Sequence, residues 1–294
     1  MLIDVRCRLT VPEAGGYFPE RLAKQGRWER IKAFAKGTLE AYFEEVAAAG
    51  VTTAVSVSGN NPGLVIGARD MKDRTTSNDY MAKVQKENWG RFIGVAGIDA
   101  GNVFHNALEE IDRCHKMGLR AIFIEPGRSP KCNLDDRRLY PIYQKCLDLN
   151  MTLIPQTSGA LGGELVDYAN PKYVERIAID FPKLRIVCGH GCFPYIREAI
   201  TLAGRRNTVF MSPDMYLLQF GAEDWVKAVN HDFMGFQDQF LMGSAYPSVA
   251  IKPYYDDVFK MPWKEEALPK ICYRNALRAF DLENDPTFRK LYKL

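Results

Sequence analysis

A single (β/α)8 TIM barrel spanning residues 1–294 is the fold this sequence predicts, and three observations carry the prediction. Eight apolar runs of strand length alternate with helix-length amphipathic stretches. The runs are nearly continuous in their hydrophobicity, as strands of a parallel sheet buried on both faces should be. The signatures of the open alternative are missing: no GxGxxG follows a strand, and no GxxxxGK[ST] occurs. A length of 294 residues is within the range of one such barrel.

The first strand is Leu2–Cys7, inside MLIDVRCRL. Residues 10–37 follow, with Gly15, Gly16, Tyr17, Phe18 and Trp28. That segment is too long for a plain strand-to-helix turn and belongs at the C-terminal face. It is expected to be a lid, or equally a surface excursion or oligomer contact. The remaining strands are Thr53–Val57, Phe92–Ile98, Ala121–Ile124, Thr152–Pro155, Leu184–Cys188, Thr208–Met211 and Phe240–Met242. Helices are expected over Leu39–Ala49, Thr76–Asn88, Ala107–Met117, Leu139–Leu149, Pro171–Ile179, Tyr195–Ala203 and Ala222–Val229, with a closing one over Lys264–Ala279.

Composition narrows the partners. The apolar fraction of 47% is enough for a large core, and the net charge is only +3 with no block of like charges. Nucleic acid is not expected as a ligand on that balance. Small anionic molecules are compatible with it. Seven scattered cysteines, with no CxxC, read as reduced thiols of a cytoplasmic protein. No signal-peptide pattern opens the sequence, and no apolar run reaches the roughly 18 residues of a membrane span.

Barrel enzymes carry their chemistry at the C-terminal ends of the strands. Arg6 and Arg8 alternate with Cys7, so both side chains leave the first strand on one side. Two arginines buried there are costly without anionic partners. They are expected to bind a substrate carboxylate through charge-assisted hydrogen bonds, or to pair with Asp4 or Glu125. His190 ends the sixth strand between two glycines, in CGHGC, where a neutral imidazole suits proton transfer. Cys188, His190 and Cys192 share a spacing of two, but it is no common zinc motif, and packing in the barrel wall is the better reading of the cysteines.

Glu125 ends the fourth strand in IFIEPG, and Asp214 follows the seventh in SPDMY. Either is a candidate base or water-positioning carboxylate, or a counter-ion for Arg6 or Arg8. Asp214 is also a candidate helix cap. Arg128, Gln156, Ser158, Tyr216 and Tyr246 are candidate substrate contacts. A serine nucleophile is unsupported, because there is no GxSxG.

The segments MLIDVRCRL, GLRAIFIEPG, DFPKLRIVCGHGCFPYIREA, FLMGSAYPS and YRNALRAF together resemble the amidohydrolase superfamily, in its amidohydrolase-2 branch of metal-dependent hydrolases and decarboxylases. The resemblance implies a first strand ending Asp-x-His-x-His, whose histidines bind a divalent metal. It implies a histidine in the fifth-strand segment and an aspartate in Gly-Ser-Asp-x-Pro. Here those places hold Arg6 and Arg8, Gln156, and Ala245. Arginine stays protonated and has no lone pair to offer a cation. Only His190 remains, so no family-type metal centre and no cofactor is expected.

Three functions are carried forward. The first is a metal-independent hydrolase of a small carboxylate-bearing lactone or related cyclic acid, similar to the pyrone-dicarboxylate lactonases. In it Arg6 and Arg8 supply the missing positive charge, and His190, Asp214 or Glu125 directs water. The second is a decarboxylase or hydratase of an aromatic or unsaturated carboxylate. The third is a non-catalytic binding protein on the same barrel. The resemblance implies a homodimer as the default assembly.

Overall fold

The computed structural model describes residues 1–27, 30–59, 64–66, 69–71 and 74–294. Trp28, singled out above, lies outside them. Seven parallel strands form one curved sheet in the order β1 (Ile3–Asp4), β2 (Thr53–Val57), β5 (Phe92–Gly97), β6 (Ala121–Ile124), β7 (Thr152–Pro155), β8 (Ile186–Gly189) and β9 (Val209–Ser212). The intervening β3 (Leu64–Ile66) and β4 (Arg69–Met71) form a separate antiparallel pair that the sequence reading did not anticipate.

The eighth stave is not the regular strand expected at Phe240–Met242. The chain there is extended and bridges its neighbours at single points. On one side Met211 N donates to Gln239 O at 2.8 Å and Leu241 N to Met211 O at 2.9 Å. On the other, Val5 N donates to Met242 O at 3.0 Å and Arg8 N to Tyr246 O at 2.9 Å. These bonds close the sheet into the barrel.

Strand alternation divides the core. Ile3, Val55, Val57, Ile93, Val95, Phe123, Ile154, Val187 and Phe210 pack together inside the barrel. Ala54, Phe92, Ala96, Ile122, Leu153, Ile186, Cys188 and Met211 face the surrounding helices. Those helices follow the expected spans to within about two residues, from Leu39–Ala48 to Ala222–Asn230. Lys264–Ala279 is the exception: instead of one α-helix it forms a 3-10 turn, a π-turn and the short helix Asn275–Ala279, with Pro269 in the run. Helices Ile251–Val258 and Pro286–Tyr292 were not foreseen; the latter begins with Pro at its first position and Asp285 capping Thr287 N and Phe288 N. No helix among the described residues is long and apolar enough to cross a membrane.

The described residues of the segment 10–37 lie around the mouth. They carry a 3-10 turn at Pro12–Ala14 and helices at Tyr17–Lys24 and Lys32–Lys36. The first of these helices brings Phe18 over Arg8, with the guanidinium 5.7 Å from the ring centroid, and Tyr17 over Arg74 at the same distance.

Candidate active site

The first strand bends at Val5–Arg6, and this bend builds the site. Ile3 and Val5 both belong to the inner core, while Cys7 faces out to Tyr42, whose hydroxyl donates to Cys7 O at 2.9 Å. Arg6 and Arg8 then both enter the mouth, as their alternation predicts. Asp4 holds the bend: its Oδ1 accepts from Arg6 N at 2.9 Å and Ser244 N at 3.1 Å, and its Oδ2 accepts from Ser244 Oγ at 2.5 Å. Asp4 therefore serves the backbone and is not the counter-ion of either arginine. Gly189 makes room for Arg6, since a Cβ there would collide with the guanidinium.

Arg6 lies in a ring of partners. Its Nη2 is 2.9 Å from His190 Nε2 and 3.3 Å from Gln156 Oε1, and its Nε is 3.4 Å from Asp214 Oδ2. Asp214 in turn accepts from His190 at two points, Nδ1 at 2.8 Å and the backbone N at 3.0 Å. An ionised carboxylate can only accept, so His190 carries its hydrogen on Nδ1 and turns the Nε2 lone pair to Arg6. Asp214 is thus the Arg6 counter-ion rather than a helix cap.

A second buried ion cluster adjoins the first. Glu125 Oε1 accepts from Arg74 Nη2 and from Gln156 Nε2 at 3.4 Å, and it forms an ion pair with Arg128, whose Nε is 3.3 Å away. Gln156 therefore joins the two clusters. Arg128 also donates to Leu161 O from Nε at 3.1 Å and from Nη2 at 2.6 Å, which fixes the loop after β7. Ser158 Oγ and Tyr216 Oη are 2.9 Å apart and form a wall beside His190, whose ring meets Tyr216 edge-on at 5.4 Å. A narrow crevice is lined by Arg6, Arg8, Phe18, Arg74, His190 and Ala245, among others.

Tyr246 borders the crevice, but its side chain is committed elsewhere. Its ring packs against Tyr42 and its hydroxyl donates to Glu45 Oε2 at 3.2 Å, on the outer side of the barrel. The cause is Ala245, whose φ of 60° is left-handed and turns the next side chain away from the mouth. His190 (φ 75°), Cys192 (φ 58°) and Asp214 (φ 45°) share this strained region, so four residues at three strand ends around the site hold conformations that ordinary residues avoid. The cysteines flanking His190 take no part in the site. Cys188 and Cys192 sit in the outer core, and the hydrogen bond from Cys192 together with burial pushes the Cys188 thiol well up.

Several site residues gave no signal in the sequence. Arg74 precedes a helix in a polar loop. Tyr254, on the unforeseen helix, donates to Asp214 O at 2.6 Å and Gly243 O at 2.9 Å. Phe123 lies beneath Arg6 at 5.2 Å and Arg8 at 5.7 Å.

Burial, reinforced by the Arg6 charge, lowers the His190 imidazole to about 4. Burial raises the Asp4 carboxyl to about 6, against the hydrogen bonds from Ser244 and Arg6 that favour its ionised form. The two act on stability with opposite sign. A depressed histidine stabilises the fold above its unfolded value and loses that contribution as pH falls from 6.5 towards 4. A raised aspartate contributes stability at low pH and loses it as pH rises from 3.8 through about 6. Between pH 4 and 6 the two effects oppose, and a nearly flat profile is expected. His190→Asn removes only the first, so its thermal midpoint should rise on acidification across that window, on the order of 1 kcal/mol per pH unit. A pH series of melting curves on both proteins checks this; parallel profiles would show that His190 does not titrate as described, and a variant midpoint that does not rise would show the same for Asp4.

Among the described residues no three His, Cys, Asp or Glu converge to hold a metal ion. Where a cation would meet His190 Nε2, the Arg6 guanidinium already lies. The donor set fits a guanidinium and not a divalent ion.

The amidohydrolase family model, Amidohydro_2, matches residues 3–282. The chain belongs to the amidohydrolase family. Its barrel is similar to an uncharacterised TIM-barrel protein from Bordetella bronchiseptica, with 31% identity, a TM-score of 0.81 and coverage of 96% of this chain and 98% of that one. It shares the fold of a manganese-bound 5-carboxyvanillate decarboxylase from Novosphingobium aromaticivorans, at 17% identity, a TM-score of 0.67 and 96% coverage of both chains. A curated relative, 2-amino-3-carboxymuconate-6-semialdehyde decarboxylase from Dictyostelium discoideum, is 37% identical over 70 residues, which is 24% of this chain and 19% of that protein's length.

Proposed function

We propose that this member of the amidohydrolase family is an enzyme that decarboxylates a small aromatic or unsaturated carboxylate, with Arg6 in the place its relatives give to a metal ion. The observation that carries the reading is the 2.9 Å approach of Arg6 Nη2 to His190 Nε2. Hydrolysis needs a base to take a proton from water. Here the imidazole lone pair is already engaged, and Asp214 and Glu125 each accept several donors. The mouth is rich in donors, which favours a reaction that develops negative charge on the substrate and needs no water-derived nucleophile.

In that reaction the bond between the substrate carbon and its carboxylate breaks, and carbon dioxide leaves. The electron pair moves into the conjugated system and settles on a substrate oxygen facing Arg6. Preorganised donors aimed at such an oxygen lower the barrier by several kcal/mol. A proton then adds to the carbon, so one carboxylate and one proton give the decarboxylated product and carbon dioxide. His190 is placed to deliver that proton: a substrate anion that engages Arg6 frees Nε2, which takes a proton from solvent and passes it to the carbon. Asp214 and Gln156 position Arg6, and Glu125 with Arg74 and Arg128 stiffens the opposite wall. Phe18 and the Tyr17–Lys24 helix act as the lid over the crevice.

The test is carboxyl-carbon labelling. Protein treated with chelator and dialysed is incubated with carboxyl-13C aromatic acids such as 2,6-dihydroxybenzoate and 5-carboxyvanillate. Labelled carbon dioxide, released at a rate indifferent to the chelator, is the expected result. Opening of an added lactone with no label released would establish the hydrolase instead, and release that needs added manganese would overturn the role given to Arg6.

A further inference from the structure

The two strand-one arginines differ in their partners. Arg6 meets His190, Gln156 and Asp214. Arg8 is 7% exposed, donates once from Nη1 to Val57 O at 2.8 Å, and has a buried Nη2 with no hydrogen-bond partner. It makes no ion pair among the described residues. A buried guanidinium donor left open is costly unless a ligand fills it.

The charge of the mouth points the same way. Four buried guanidiniums, Arg6, Arg8, Arg74 and Arg128, share the mouth with two carboxylates, Glu125 and Asp214, which pair with all but Arg8, so cations remain in excess among the described residues. Burial and the neighbouring Arg74 and Arg6 charges all work against the charged form of Arg8, and a bound anion would relieve this. Phe18 and Phe123 each lie 5.7 Å from the Arg8 guanidinium and confine it to the crevice. Arg6 and Arg8 leave the strand two residues apart, roughly 7 Å. That spacing suits two acid groups on one six-membered ring.

We propose that Arg8 binds a second, non-reacting carboxylate, so that the substrate of this site is a dicarboxylate. The inference rests on the carboxylate reading of the mouth given above. Arg6 faces the group that reacts, and Arg8 selects the molecules allowed to reach it.

The experiment is calorimetric titration of the full chain, at low ionic strength, with isophthalate and with benzoate. Isophthalate should bind at least tenfold more tightly. In Arg8→Met that advantage should vanish, with isophthalate losing at least tenfold more affinity than benzoate does. The thermal midpoint of unliganded Arg8→Met should rise by several degrees, because an unpaired buried charge is gone. Arg8→Gln, which also removes the charge, should give the same loss of discrimination if the methionine variant does not fold. Equal binding of the two acids by the native protein overturns the dicarboxylate and leaves the carboxylate site standing, as does a variant that loses benzoate as strongly as isophthalate. No binding of either acid removes both.

Discussion

Arg6→Met is expected to lower kcat/KM for an aromatic carboxylate by at least about a thousandfold and to destabilise the fold by about 3–5 kcal/mol. The first effect follows from its place at the centre of the mouth, where one side chain faces His190, Gln156 and Asp214 together. Methionine keeps the apolar stem, stops short of the guanidinium's place and removes all of the donors. The second effect follows from what is left behind: a fully buried Asp214 loses its cation and keeps only the hydrogen bonds from His190. Arg6→Lys should not restore activity, because a single ammonium cannot reproduce contacts made from both Nε and Nη2. Added methylguanidinium should recover part of the turnover by filling the space. Steady-state kinetics and urea denaturation check both effects, and turnover within tenfold of the native protein would remove Arg6 from the chemistry.

Glu125→Gln is expected to lower the thermal midpoint on the order of 10 °C. This carboxylate is shared by Arg74 and Arg128, and its side chain is 1% exposed. Its neutralisation leaves two buried guanidiniums facing an amide, which can accept one hydrogen bond well but carries no charge. Breaking a buried pair in this way costs about 3–5 kcal/mol, and a shift of a few degrees per kcal/mol is usual for a domain of this size. Sulfate in the melting buffer should restore part of the midpoint, because an anion entering the mouth binds only the folded form. A midpoint that does not move would show that Arg74 and Arg128 find other compensation.

Much of this architecture was legible in the sequence, and the misses have physical causes. Thr53–Val57, Ala121–Ile124 and Thr152–Pro155 fall where their apolar runs begin and end. Alternation along the first strand correctly put Arg6 and Arg8 on one side. It failed for Tyr246 because alternation assumes extended backbone, and the left-handed Ala245 breaks that assumption. It failed for Asp4 because the strand bends at Val5–Arg6, so residues 4 and 6 no longer share a face. Arg74 comes from a loop with no periodicity, and only the fold brings it 51 positions along the chain to Glu125. His190 was recognisable from its glycine setting. The engagement of its lone pair was not, because that depends on a guanidinium from the far end of the sheet order.

The seam between the irregular eighth stave and the first strand has a bearing on how the protein comes to exist. Val5 is anchored to Met242 and Arg8 to Tyr246, contacts that span well over two hundred positions of chain. Every other neighbouring pair of staves joins segments much closer in sequence, such as β6 with β7. Contacts between distant segments form late, since a long loop must close before they return any stabilisation. During synthesis the first strand must therefore wait for the segment that will receive it, with two arginines and an apolar edge unclaimed. The reactive mouth is assembled by the last closure of the barrel, and a half-made chain holds none of it.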